Sequence, residues 1–207
     1  CRMRGLGPEA LRHALGIAEY HGPRSQMMRE IANPTMLHGG SGMGAMVGLM
    51  AVLLAEDGFT GAPAITVEDA PRHWADIGQR WTVTENYIKP YPICRWAHAA
   101  LDAAGGLMAE HGIGAGDIER AEIRTFAEAA ALFPGVPETT SQAQYSLRFA
   151  LAALMAKGRL GPAEITGAGL SDPAVAAMMN RIAITEDRRH SARFPTGRWS
   201  DVSLHLG

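Results

Sequence analysis

Only two cysteines occur in 207 residues, Cys1 and Cys94. Two thiols make neither a disulfide framework nor an all-cysteine zinc site. Lysine is as scarce: of 19 lysines and arginines, only Lys89 and Lys157 are lysine. An excess of charge is missing too. The net charge is -2 with both signs interspersed, so the overall balance gives no support to a nucleic-acid or anionic-membrane partner. The longest apolar run, Met43 to Ala55, includes Gly44 and Gly48 and falls short of the ~18–20 residues of a membrane span. No basic stretch followed by an apolar one opens the sequence, and a cytoplasmic location is the expectation. There is no HExxH, no CxxC and no Gly-x-Ser-x-Gly elbow, so metal-dependent and serine hydrolases lack support.

What is present is a core. Apolar residues make up 47% of the chain and charged residues 19%, which suits a folded chain with a real core and not disorder. Helix punctuation is clear. Pro8 and Gly22 bracket a helix near 8–21, and an almost wholly apolar segment reads as a helix near 42–57. Further helices are expected near 96–111, 141–157 and 172–181. The second of these opens on Ser141 and Gln144 at capping-box spacing and closes at Gly158; the last is capped by Asp172 before Pro173. Alternating residues place strands near 119–126, 182–186 and 199–206, expected in one sheet. The character of the chain changes near Thr60, so residues 1–59 read as the end of an all-helical domain and 60–207 as an α+β domain. In that domain, helices pack on one face of a mostly antiparallel sheet. The start at Cys1 and the final strand read as cuts through a longer protein. An apolar helix near 42–57 with few neighbours should expose its surface, or be covered by a homodimer.

Three stretches could carry chemistry. "YIKPYPICRWAHAALDAA", residues 87–104, holds Lys89 between prolines that keep the backbone extended. A lysine on such a segment has a defined direction and can bind a carboxylate or exchange protons; as an ordinary residue it is a solvated surface charge. His98 and Asp102, four apart on a helix, share a face, either as a tautomer-fixing pair or as a surface pair. Cys94 reads as a small buried hydrophobe. "TMLHGGSGMG" places His38 before a glycine-rich helix start that suits an anion or close packing. "EDRRHSARFPTGR" is a carboxylate clamp or a solvated hairpin loop.

The residue 87–104 segment resembles the lysine-proline-aromatic-proline motif, followed by cysteine-arginine and histidine, of the MmgE/PrpD family. "GLGPEALRHALGIA", "GLMAVLLAEDGFTGAPAI" and "AQYSLRFALAALMAKG" are similar to further segments of that family, in the same order. The family includes 2-methylcitrate dehydratase, cis-aconitate decarboxylase and iminodisuccinate epimerase. The resemblance implies a large helical domain and a smaller α+β lid with the active site between them. It also implies a small polycarboxylate substrate and chemistry without metal or organic cofactor. By resemblance Lys89 and His98 are the catalytic candidates, and His38 and Arg95 the substrate-binding ones. The implied reaction is proton abstraction beside a carboxylate with loss of water. Decarboxylation, epimerisation and a non-catalytic, lid-like dimerisation module are the alternatives. One departure stands out: the family's second lysine, in a Lys-x-x-His-x-Gly context, is absent from residues 34–40, which read Pro-Thr-Met-Leu-His-Gly-Gly.

Overall fold

Capping residues and glycines set the elements of the chain, which a computed structural model describes over all residues 1–207. In order, the helices are α1 (Pro8–His21), α2 (Met27–Ala32), α3 (Ser41–Glu56), α4 (Ile65–Glu68), α5 (His98–His111), α6 (Ala127–Ala130), α7 (Thr140–Gln144), α8 (Leu147–Lys157), α9 (Pro173–Met179) and α10 (Arg188–Ser191). The strands are β1 (Ile118–Thr125), β2 (Ile182–Glu186) and β3 (Ser200–Leu206). No helix is long and apolar enough to cross a membrane. The chain divides into two compact units, one of residues 1–27 and 38–88, the other of 28–37 and 89–207. The expected boundary near Thr60 therefore falls inside the first unit.

In the first unit α1 and α3 meet through small side chains: Ala14 and Ile17 pack against Ala51 and Ala55. Residues 61–68 fold back onto α1, which explains why the unit runs past Thr60. Glycine makes that approach possible. A Cβ on Gly16 would stand 1.6 Å from the Ala62 carbonyl oxygen, and one on Gly61 would stand 2.5 Å from the His13 carbonyl oxygen. Polar contacts then fix the segment. The Glu19 carboxylate accepts from the backbone N–H of Ile65 and of Thr66, both at 2.8 Å, and so caps α4. Arg12 forks onto Glu68 at 2.8 and 2.7 Å. The rest of α3 stays uncovered: Met43, Met46, Leu49, Met50, Leu53 and Leu54 are exposed. This is the exposed apolar face expected from its lack of polar residues.

The second unit is an α+β layer with a three-stranded sheet in the order β2-β1-β3. All three expected strands share that sheet. It is mixed, however, and not mostly antiparallel: β1 runs antiparallel to β3 but parallel to β2. The helical crossover between β1 and β2 returns the chain in the same direction, which two alternating sequence patterns do not reveal. On β1 the buried residues are Ile118, Ala121, Ile123 and Thr125. The three-residue step from Ile118 to Ala121 coincides with a register irregularity between Ile118 and Arg120. The buried face packs under α5 (Ala100, Leu101, Ala104) and α8, which is buried at every residue from Phe149 to Met155. The opposite face carries ion pairs, Arg124 with Asp201 at 3.6 Å and His205 with Glu122 at 3.7 Å.

The expected helix over 141–157 is two helices. Thr139, not Ser141, makes the capping box, with Gln142 as its partner, and Ser146 starts a second helix by accepting from Phe149 N–H at 3.3 Å. Two capping side chains seven residues apart cannot serve one helix. Gly158 ends α8 at φ 68°, in the left-handed region where glycine carries no steric penalty.

Candidate active site

The segment from Lys89 to His98 begins the longer stretch of the second unit. Lys89 precedes Pro90 and Pro92 follows two residues later, but the expected extended run is instead a series of bends over residues 90–93 that ends on the buried Ile93. The carbonyl of Ile93 then becomes a focus. Lys89 Nζ donates to it at 3.1 Å, and His98 Nε2 stands 3.3 Å from it. A carbonyl oxygen only accepts, so the hydrogen bond puts the His98 ring proton on Nε2. The lysine and histidine expected on this motif are thus joined through one backbone atom.

His98 is 0% exposed. Burial pushes its pKa below the ordinary value of 6.5, opposed by the Ile93 hydrogen bond. The positive charges of Arg95 and Lys89 lower it further, and Asp102 pulls the other way more weakly. The ring is therefore neutral at pH 7. Its edge-on neighbour is Tyr91, with ring centroids 5.3 Å apart, and the Tyr91 hydroxyl donates to Asp102 at 3.0 Å. The tyrosine takes up the carboxylate that the i,i+4 spacing had offered to the histidine. Arg95 begins a 3-10 turn, Arg95–Ala97, that leads into α5, and it is half-buried.

Cys94 ties this segment to the break between α7 and α8: its N–H donates to the Gln144 carbonyl at 2.8 Å. Burial raises the thiol's pKa, so Cys94 stays a neutral packing residue, as its sequence context suggested. The next residue, Tyr145, donates its hydroxyl to the carboxylate of Glu30 on α2. Burial first, then that hydrogen bond, holds the phenol well above its usual range. Glu30 and Tyr145 were not among the candidates read from the sequence. They lie 115 residues apart, and the available signal was the second capping serine, which ends the preceding helix at Tyr145.

The structure thus brings Lys89, Arg95 and His98 together on one segment, with Tyr91, Asp102, Tyr145 and Glu30 around them. His38 lies in the exposed turn before α3 and belongs to the other compact unit. The arginine-rich stretch after β2 does not remain a loop. It forms α10, with Arg189 paired to Asp187 and Asp201 and Arg193 over the Trp199 ring at 4.9 Å.

No curated protein matches the chain. A family match does exist and covers more than half of it. Residues 91–206 match the MmgE/PrpD C-terminal domain, a span that takes in Arg95, His98, Tyr145 and all three strands and begins two residues after Lys89. The chain belongs to the MmgE/PrpD family and carries its C-terminal domain.

Proposed function

We propose that this chain is part of a lyase that acts on a small polycarboxylate, removing a proton beside a carboxylate and eliminating water, in the manner of a 2-methylcitrate dehydratase. The observation that carries the reading is the shared acceptor. One of only two lysines, in a chain that otherwise uses arginine, is held on a proline-flanked segment by the carbonyl that also receives His98. An ammonium has three protons. One goes to Ile93, and the others are available in kind for a substrate carboxylate.

As the α-proton leaves, negative charge builds on that carboxylate, and a preorganised cation stabilises it more than it stabilises the ground state. The electron pair left by that proton then forms the new C=C bond, and hydroxide departs from the neighbouring carbon with a proton, as water. Lys89 is the catalytic group in this reading. His98, being fully buried and neutral, acts as a positioning residue that fixes the Ile93 carbonyl and through it the ammonium. Arg95 and His38 are proposed as further carboxylate-binding groups. The reaction needs no metal or organic cofactor in this reading. A homodimer and a cytoplasmic location are part of the same proposal.

The test is turnover of 2-methylcitrate and related tricarboxylates by the full-length protein that carries this chain. Lys89→Met keeps the stem and removes the charge, and should lower turnover by ~10^2 to 10^3 with an unchanged melt. Lys157→Met is the control. That lysine pairs with Asp172 at 2.8 Å and joins α8 to α9 on the surface, and its loss should leave turnover intact. Wild-type turnover in Lys89→Met would overturn the assignment.

A further inference from the structure

Where β2 runs into α10, three side chains of metal-ligand type converge. Asp187 caps α10, and its N–H donates to the Thr125 carbonyl at 2.8 Å, which pins the turn to β1. His190 lies on α10 and Asp201 on β3. Their potential ligand atoms all lie within 4.8 Å of one another, and His190 Nε2 is 3.3 Å from Asp201 Oδ1. The imidazole is 5% exposed, yet neither ring nitrogen makes a hydrogen bond. Buried polar groups are nearly always satisfied, so this ring is short of a partner on the very side that faces the carboxylates.

A cation already bridges the two carboxylates. The Arg189 guanidinium reaches Asp187 at 2.6 to 3.1 Å and Asp201 at 2.9 Å, and it holds the Asp187 carboxyl well below the usual carboxylate range. Its side chain is 67% exposed and can swing away. A guanidinium only donates, so it cannot use the lone pair of His190. A divalent metal ion can accept from both carboxylates and from the imidazole at once.

We propose that Asp187, His190 and Asp201 form a site for a transition-series divalent cation such as Zn²⁺ or Co²⁺, which displaces the Arg189 fork and clasps α10 to β3. One imidazole with two carboxylates suits these ions, whereas Ca²⁺ and Mg²⁺ prefer oxygen alone. Water completes the coordination sphere. Arg189 and Arg124, the latter 3.6 Å from Asp201, both oppose the incoming charge, so the site binds more weakly than one without resident cations.

The experiment titrates the chelator-treated protein with CoCl₂, reads the visible absorbance of protein-bound cobalt, and displaces it with ZnCl₂, with thermal melts alongside. One Co²⁺ per chain should bind, and should raise the melting temperature. Asp201→Asn and His190→Ala should each weaken binding by roughly tenfold or more. Arg189→Gln removes the competing cation at an exposed position that leaves the fold intact, and should tighten binding. If His190→Ala does not fold, Arg189→Gln and Asp201→Asn decide. No cobalt signal at millimolar metal, or binding unaltered by Asp201→Asn and Arg189→Gln, overturns the proposal.

Discussion

Lys89 and His98 direct their side chains to one acceptor, the Ile93 carbonyl, at 3.1 and 3.3 Å. One of these donors is exposed and charged and the other is buried and neutral. The consequence is a pH-sensitive anchor. Because the folded-state pKa of His98 is lowered, the unfolded chain binds its proton more readily. Stability is therefore full above the ordinary value of 6.5 and falls as pH drops from there toward the lowered folded value. Melting temperature measured from pH 7.5 to 5 should decline through that window, and His98→Gln, which keeps a donor but does not titrate, should flatten the decline. An identical slope in the variant would assign the effect to other groups.

Tyr145 should keep its proton past the ordinary phenol value of 10, because burial and the Glu30 carboxylate hold it in place. In an ultraviolet pH titration through pH 10, Tyr145→Phe should remove no phenolate signal. A signal reduced by one tyrosine in Tyr145→Phe would show that the Glu30 pairing is not formed.

Two glycines of the helical unit should respond in opposite directions to the same change. Gly16→Ala places a methyl 1.6 Å from the Ala62 carbonyl oxygen, so the 61–68 segment must lift from α1, at ~1–3 kcal/mol for overpacking. Gly48, inside α3, has nothing within 4 Å of its added Cβ, and Gly48→Ala should stabilise by about 0.5–1 kcal/mol through helix propensity. Denaturant melts of the two variants give the comparison directly.

The exposed face of α3 should bind hydrophobic dyes or self-associate. Met46, Leu49, Met50 and Leu53 form its centre. Leu49→Glu with Met46→Lys should lower dye fluorescence or shift the protein to a smaller species in light scattering, with stability changed by less than about 0.5 kcal/mol because the positions face water. An unchanged dye signal would place the binding surface elsewhere.

Local signals in the sequence located most elements because their causes are local. Pro8, Asp172 and Gly158 act within a turn of where they stand, and the helix ends they mark fall within a few residues of expectation. The Lys89 motif stood out by its residue types, but the extended backbone expected from its prolines is a run of bends at residues 90–93. What was not legible depends on distant partners. The parallel pairing of β1 with β2 is decided by the crossover, not by either strand's alternation. The division of the helix at Tyr145 was recorded in Ser146, but one cap signal upstream masked the next. Asp102 lay within reach of His98 by spacing, and only the folded position of Tyr91 gave the carboxylate another donor.

The central strand of the sheet is also the first of the three to be made. β1 holds both neighbours apart, and contacts such as Arg120 with His205 join residues 85 positions distant. At ~5–20 residues per second of synthesis, β1 has left the ribosome roughly 4–17 seconds before β3 exists to cover its edge. During that interval a strand bearing Ile118 and Ile123 is open on at least one side, an unpaired edge that can template wrong pairings until β3 arrives.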